Sequence, residues 1–477
     1  MQGRMPVDAP RKTYRPWEPD AYRQQAHSPA SKLPPNDLVF FFLDLLPHLD
    51  LSAVYAPYED QLRGAPPFDP RMMTCLWLYA YSVGVFSSRK IAKACERNLA
   101  FMAIVGEDCP DFRTISDFRK LHLDALADLF NQVLKLAHAT GLVQLGAWAT
   151  DGSKFPGNAS RHKAMSYGYM LKEEERLKTE IAELLRQQQE VDAQEDAVLG
   201  SSRGDELPDE LRFREQRLAK IQQGKTRLQE QAKAAAEEER QRRAEAEQQR
   251  QQQGRNPGGR PPGPLSEVPD DKAQTNFTDP DLKIMPQNNK GWEYSGNAQV
   301  LVDDACGIII AADVVIETND KQQAVPMAQK ALANLQAAGI ERPVAEAGGV
   351  QKIISLQDSG YFSAKAVSGL EALDLDPYIA TERQKHHGPA AATAVAEPAA
   401  ATAQAKMRAK LRTARGRAVY GLRKGVVEPV FGQIKAARGF RRFSLRGLEK
   451  IKKEWRLVCL THNLLKIWRY RSAPSVN

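Results

Sequence analysis

Cysteine is scarce in this sequence of 477 residues, and the few that occur are scattered. None forms the Cys-x-x-Cys pair that a structural zinc site or a redox motif uses. The spacing also argues against a disulfide framework, so a reducing compartment such as the cytoplasm is expected. The five residues are Cys75, Cys95, Cys109, Cys306 and Cys459.

Long apolar segments are absent as well. The apolar run over residues 38–43 ends at Asp44, whereas a membrane-spanning helix needs about 20 apolar residues. Residues 1–20 are polar and contain no apolar core of the kind found in signal peptides. We therefore expect a soluble, cytoplasmic protein without a membrane partner.

Positive charge, by contrast, is concentrated near the end of the chain. Residues 428–471 contain twelve Lys and Arg against three Glu, a net charge of +9, while the whole chain carries +8. Such a segment favours binding to a polyanion, and a nucleic acid is a more favoured partner than a membrane surface. The segment begins at a carboxylate, Glu428, so a polyanion bound beside an acidic metal site is the simplest interpretation.

The residues around Glu428 predict the start of a helix. Pro429 suits a first helical position, and Val430, Phe431 and Ile434 follow at helical spacing. Glu428 would then lie at the positive, N-terminal end of that helix. From these residues alone, Glu428 either complements the helix dipole or takes part in catalysis.

The first third of the chain is predicted to be helical. Residues 1–35 predict a flexible N-terminal arm, and residues 36–142 a helical domain with helices over 70–81, over 89–98 and from near Thr114. Two helices joined by a short turn, the second beginning with basic residues, are typical of helix-turn-helix proteins. A plain helical bundle fits these residues equally well.

The middle of the chain changes character twice. Residues 143–170 predict a strand that ends at Asp151, with Lys154 in the basic rim behind it. Residues 171–264 are rich in charged residues and carry two stripes of Leu and Ile, which predicts a helical hairpin or coiled-coil arm followed by a Gly/Pro linker. A solvated, partly disordered charged helix would have a similar composition.

Residues 265–471 return to alternating strand and helix patterns. An Ala/Pro-rich stretch over residues 386–405 interrupts them, and we expect it to be a mobile loop.

Three carboxylates stand at the ends of predicted elements, because Asp151 and Asp358 end strands and Glu428 begins a helix. Three converging carboxylates can hold two divalent metal ions about 4 Å apart and activate water or a 3′-hydroxyl for phosphodiester chemistry. Mg²⁺ prefers such oxygen ligands. Spacing alone does not select these three from the 59 acidic residues.

A family resemblance does select them. The sequence resembles the DDE transposases of bacterial insertion sequences, in the branch with an N-terminal helix-turn-helix region and a Val-Glu-Pro-Val-Phe-Gly block. The similarity spans roughly residues 38–468 apart from the charged insertion. The matching stretches are 149–154, 158–167, 297–300, 318–321, 358–363, 420–435 and 462–466.

The resemblance implies an α/β fold: an RNase H-like catalytic domain with a mixed sheet flanked by helices, an N-terminal all-α DNA-binding domain and an inserted helical or coiled-coil arm. It implies that Asp151, Asp358 and Glu428 are catalytic and bind two Mg²⁺ ions, with Mn²⁺ as a substitute. In the signature Tyr420, Arg423, Glu428 and Lys435, the two basic residues would contact phosphates near the cut. The full expected DNA-binding set is Lys154, Arg423, Lys435, Arg438, Arg441, Arg442 and Arg446.

The expected substrate is double-stranded DNA, as terminal inverted repeats and target, bound by a homodimer or higher homo-oligomer associated with the bacterial nucleoid. Two alternatives stay open. An inactive or domesticated copy would bind DNA without cutting it. A structural protein built around the 171–253 coiled coil fits less well, because catalytic motifs flank that segment.

Overall fold

The computed structural model describes residues 12–25, 28–59, 64–199, 209–252, 263–287, 291–344, 349–382 and 402–472. These residues form two compact units. Unit 1 comprises residues up to Gly157, Met285–Gly291 and residues from Ser295 onward, and unit 2 comprises Asn158–Ile284 and Trp292–Tyr294. Most of the predicted linker over 254–264 (residues 254–262) and most of the predicted mobile loop over 386–405 (residues 386–401) lie outside the described residues.

Unit 1 begins with seven helices among the described residues. Aspartate or asparagine side chains cap several of them; Asp111, for example, accepts the backbone N–H groups of Arg113 and Thr114. The helices predicted near 70, 89 and 114 are confirmed. The seven are α1 (Pro19–Gln24), α2 (Leu38–Leu45), α3 (Ser52–Glu59), α4 (Pro70–Ser82), α5 (Ser88–Cys95), α6 (Leu99–Val105) and α7 (Phe112–Ala139).

The prediction of a flexible arm does not hold for the part of it that the structure describes. The Arg15 guanidinium pairs with the Asp108 carboxylate at 2.8 Å. The indole of Trp17 donates to the carbonyl of Ile104 at 2.8 Å. These contacts hold residues 15–17 against helix α6 and the residues that follow it. Local sequence patterns do not predict contacts between residues so far apart in the chain.

A mixed six-stranded sheet forms the centre of unit 1. Its strand order is β4-β5-β1-β7-β8, and β6 also pairs with β5. Strand β1 runs antiparallel to β5 and parallel to β7, and β7 runs parallel to β8. The strands are β1 (Ala147–Pro156), β4 (Lys283–Pro286), β5 (Trp292–Asp303), β6 (Ile309–Val315), β7 (Ile353–Gln357) and β8 (Leu375–Ile379), and β2 (Ala164–Ser166) and β3 (Gln274–Asn276) pair separately.

Within the part of the chain that the structure describes, five further helices accompany this sheet, and the resulting mixed α/β architecture is compatible with an RNase H-like domain. Helix α14 packs against β6 and α7, and α13 packs against β1. The helices are α10 (Ala324–Ala337), α11 (Ala364–Ala372), α12 (Ala403–Arg412), α13 (Ala414–Gly432) and α14 (Leu448–Ser472). Unit 2 contributes α8 (Tyr167–Leu199) and α9 (Asp209–Gln252).

Two expected element boundaries are wrong. Strand β1 does not end at Asp151, because its pairing with β5 continues to Pro156 opposite Ser295. Helix α13 does not begin at Pro429: it begins at Ala414, where the Thr413 side chain caps it. Glu428 therefore lies inside a helix, and the argument from the positive helix end does not apply to it. A helix tolerates an internal proline at the loss of one backbone hydrogen bond.

Unit 2 contains the predicted pair of long helices. Helices α8 and α9 pack through a small apolar cluster in which Leu177 and Met170 of α8 meet Ile221 and Leu228 of α9. Strands β2 and β3 pair at the same end, since Met165 and Phe277 pack against that cluster.

A buried polar network joins the N-terminal helices to α14 within unit 1. Glu454 is fully buried and accepts hydrogen bonds from the backbone of Ser444 and from the Tyr81 hydroxyl, which in turn accepts one from Arg119 at 3.0 Å. Burial raises the pKa of the Glu454 carboxyl. The helices predicted as a separate DNA-binding domain thus belong to the same compact unit as the sheet.

No single helix among the described residues combines the length and apolar content of a membrane span. In that part of the chain, Leu38–His48 and Ser52–Glu59 meet those requirements only when taken together, as a pair bent by 68°.

Candidate active site

The sheet brings Asp151 and Asp358 to the same place. Strands β1 and β7 are parallel neighbours with Ala149 opposite Leu356, and each aspartate follows two residues later. Burial raises the pKa of Asp151 to about 6, and the nearby Asp358 carboxylate adds to this rise. The two acids expected from the sequence are therefore close enough for the Asp358 carboxylate to raise the pKa of Asp151.

The third expected acid, Glu428, is linked to Asp151 by an arginine that pairs with both carboxylates. The Arg423 guanidinium lies between two carboxylates: Nη1 is 3.5 Å from Asp151 Oδ2, and Nη2 is 3.9 Å from Glu428 Oε1. The Glu428 side chain is 56% exposed, whereas that of Arg423 is only 11% exposed. Helix α13, which packs against β1, supplies both residues.

Arg423 itself has unused hydrogen-bonding capacity. Its Nε and Nη1 atoms are buried and make no hydrogen bond. A buried guanidinium with unsatisfied donors is costly unless an anion completes it. The Tyr420 hydroxyl lies nearby, and burial raises its pKa.

A fourth carboxylate, Asp320, also lies in the site, and the sequence analysis did not single it out. Its Oδ1 accepts hydrogen bonds from the side-chain amides of Asn297 at 2.7 Å and Gln299 at 2.6 Å. The signal that could have found it is polar residues at alternating, inward-facing positions of β5, which are buried and therefore need a partner. Asp320 further raises the pKa of Asp151.

The basic residues expected around the site fall into two groups. Lys435 lies on the π-helical turn Gln433–Ala437, donates to the Ser153 hydroxyl and sits over the ring of Phe155. Burial lowers the pKa of Lys435. Lys154 lies on β1 between these partners.

The second group follows along the chain. Arg441, Arg442 and Arg446 are exposed, and Arg442 also donates to the Gly157 carbonyl at 2.7 Å. Arg438 differs: it is 7% exposed, donates to Thr461 and the Val458 carbonyl, and burial lowers its pKa to about 10. Arg438 therefore packs against α14 in this structure, which is a correction to the expected DNA-binding set.

The acidic side chains suit a hard divalent cation in kind. Asp151, Asp320 and Asp358 offer only carboxylate oxygens, which Mg²⁺ prefers. A cation beside Asp151 would favour its ionised form, which burial and neighbouring carboxylates now disfavour. Within the described residues, however, no three His, Cys, Asp or Glu side chains are grouped closely enough to hold one ion.

Comparisons with known families give two matches. Residues 383–468 match the model described as a transposase DDE domain, and residues 27–121 match a transposase domain (DUF772). The first match contains Arg423, Glu428 and Lys435, and neither contains Asp151 or Asp358. No curated protein and no solved structure gave a significant match.

Proposed function

We propose that this chain, a DDE-type insertion-sequence transposase by its two transposase-domain matches, binds the terminal inverted repeats of its element and catalyses strand cleavage and strand transfer there. The observation that carries this proposal is the convergence of Asp151 and Asp358 beside a buried arginine that also reaches Glu428.

In this proposal Asp151, Asp358 and Glu428 hold two Mg²⁺ ions. The ions would activate the attacking water or 3′-hydroxyl and stabilise the leaving oxygen of the phosphodiester. Asp151 lies on β1 and Asp358 directly follows the adjacent strand β7, and a strand holds a carboxylate more rigidly than a loop does. Glu428 comes from a helix and is more exposed, so it is the acid with the greatest freedom to adjust.

Arg423 supplies the anion-binding part of the site in this proposal. Its buried Nε and Nη1 atoms lack hydrogen-bond partners, and separate oxygens of a bound phosphodiester would accept from them. Binding of a phosphate to the Arg423 guanidinium would weaken the ion pairs of Arg423 with Asp151 and Glu428. Those carboxylates would then be available to bind the metal ions. Lys435, anchored by Ser153, contributes a second cation on the same side of β1.

Replacement of Glu428 by Gln tests the catalytic assignment. The change removes one anionic ligand and preserves the side-chain shape, so Mg²⁺-dependent cleavage at the element end should fall by orders of magnitude while DNA affinity stays close to that of the wild type. Glu449→Gln is the matched control, because Glu449 is 71% exposed and pairs only with Lys452 among the contacts described. Cleavage at the wild-type rate by Glu428→Gln would remove this residue from the catalytic set.

Replacement of Arg441 and Arg442 together by Ala tests the DNA surface. If both contact phosphates, affinity should fall and the slope of log affinity against log salt should become shallower by up to about two. The double variant Lys90→Ala/Lys93→Ala tests in the same way whether the exposed face of α5 contacts DNA. Unchanged slopes in both variants would place DNA on neither surface.

The alternative of an inactive copy is separated by the same assays. Specific binding of the element ends by the wild type, without nicking in Mg²⁺ or Mn²⁺, would favour a DNA-binding protein derived from a transposase.

A further inference from the structure

Asp320 lies beside both strand acids, although the transposase signature assigns it no role. A Cβ atom at Gly152, the residue after Asp151, would come within 2.7 Å of Asp320 Oδ1. A Cβ atom at Gly360, two residues after Asp358, would lie 3.0 Å from Asp358 Oδ1 and 3.9 Å from Asp320 Oδ2. The Asp320 carboxylate therefore fits between two glycine backbones that flank the acids.

The two oxygens of Asp320 have different surroundings. Oδ1 is fixed by the amides of Asn297 and Gln299 on β5, which pair with Lys154 and Gly152 of β1. Oδ2 accepts no hydrogen bond from any residue that the structure describes, and it is the oxygen turned toward Gly360 and Asp358. One oxygen thus orients the group while the other keeps its coordinating capacity.

A hydrogen-bond chain ties this carboxylate to the segment that carries Asp358. The Tyr361 hydroxyl donates to Gln299 Oε1, and Gln299 Nε2 donates to Asp320. Tyr361 is fully buried and comes three residues after Asp358. The chain holds Asp320, β5 and the Asp358 turn as one rigid group, which a metal ligand requires.

Charge balance points the same way. Arg423 is the cation that the structure places in contact with Asp151 and Glu428, and no Lys or Arg in the described residues forms an ion pair with Asp320 or Asp358. Carboxylates held together without basic partners are stabilised by a bound cation.

We propose that Asp320 is a fourth acidic residue of the metal site, with Oδ1 held by Asn297 and Gln299 and Oδ2 available to a divalent cation beside Asp358. This inference rests on the proposed metal-dependent function and extends its ligand set.

Replacement of Asp320 by Asn tests it by metal binding rather than by activity. Asparagine keeps an oxygen that can accept from both amides, but it removes the charge and the second coordinating oxygen. We expect Mn²⁺ affinity of the full-length protein, measured by calorimetry or by the spin resonance of free Mn²⁺, to fall at least about tenfold. Asp304→Asn is the matched control, because Asp304 Oδ1 likewise accepts an N–H, that of Ala147 at 3.2 Å, and its variant should bind Mn²⁺ like the wild type.

Asp151→Asn separates this inference from the proposed function. If it weakens Mn²⁺ binding and Asp320→Asn does not, Asp320 is not a ligand and the transposase site stands without it. If the wild type binds no Mn²⁺, or if Asp151→Asn binds it unchanged, the proposed metal site fails and the role of Asp320 fails with it.

Iron-directed cleavage of the wild type supplies a test that needs no variant. Fe²⁺ in the metal site, with ascorbate and peroxide, cuts the backbone close to the ion. We expect fragment ends near residues 151, 320 and 358, all suppressed by excess Mg²⁺. Cuts near 151 and 358 without one near 320 would overturn the inference.

Discussion

The two units of this protein are stabilised by different means. In unit 1 the ring of Trp455 lies 5.0 Å from that of Phe155 inside an aromatic cluster, and its indole donates to the Gln299 carbonyl. In unit 2 the side chains of Glu173 and Glu174 are about 5% exposed and are surrounded by basic residues. Those partners are Arg176, Lys178, Arg217 and Lys225.

The difference follows from composition. Unit 2 draws on a sequence that is poor in large apolar residues, so charged pairs at helical spacing replace part of an apolar core. Unit 1 combines segments that are hundreds of residues apart in the sequence. Only the burial of a large apolar core offsets the conformational entropy that is lost when such distant segments come together. Substitutions should therefore separate the two units.

The largest effect is expected in the aromatic cluster. Trp455→Ala should reduce the free energy of unfolding of unit 1 by about 3–5 kcal/mol, because Trp455 is fully buried and the substitution leaves a cavity. Urea unfolding followed by circular dichroism measures this loss. Trp468→Ala on the same helix, where the side chain is only partly buried, is the control and should lose less. Equal losses would mean that the cluster is not the centre of the core.

Leu177→Ala should have a smaller effect that is confined to unit 2. Leu177 is 1% exposed within the small cluster between α8 and α9, and loss of its side chain should cost about 2 kcal/mol, the low end of the usual range. Proteolysis of the helices should accelerate while the unfolding midpoint of unit 1 stays unchanged. A drop in the unit 1 midpoint would show that the units unfold together.

His462 gives unit 1 a specific sensitivity to acid. Burial lowers the pKa of His462 to about 3, with further lowering from Arg438 and Lys466, while an unfolded histidine titrates near 6.5. Between these values the unfolded chain binds one more proton, so stability falls as the pH falls, by about 1.4 kcal/mol per pH unit. In His462→Gln, which can still donate to the Gly307 carbonyl, the acid slope should be shallower by that amount. An unchanged slope would contradict the assignment.

Deletion of residues 172–262 with a short replacement linker should have the smallest effect on unit 1. It removes most of α8 and all of α9 but none of the residues of unit 1. The free energy of unfolding of unit 1 should therefore change by no more than about 0.5 kcal/mol. Aggregation or the loss of a cooperative melt would show that the helices are integral to unit 1.

The sequence predicted local structure better than assembly. Strand patterns located β1 and β7, and helical stripes located α4, α5, α8 and α9, because these signals lie within one element. The predicted start of α13 at Pro429 is wrong because a proline at this position, seen in isolation, resembles a helix start. Only the preceding turns, capped at Thr413, show that the helix begins earlier.

Tertiary position explains the remaining differences at the site. Arg438 was counted with the basic surface because charge counts contain no information about burial, yet α14 covers it. Asp320 stood in a recognised stretch without a role, since its neighbours Gln299 and Gly152 lie 21 and 168 residues away and meet it only through the sheet.

The hydrogen bond between Tyr81 and Glu454 also bears on how the protein is made. It joins residues 373 positions apart, and the helices on its N-terminal side have no α14 to cover them until residues 448–472 have been synthesised. At ordinary rates of protein synthesis, that interval is on the order of 20–70 s, far longer than the time in which helices form. The apolar face of these helices is therefore exposed on the ribosome throughout, and a prematurely terminated chain would present it permanently to chaperones and proteases.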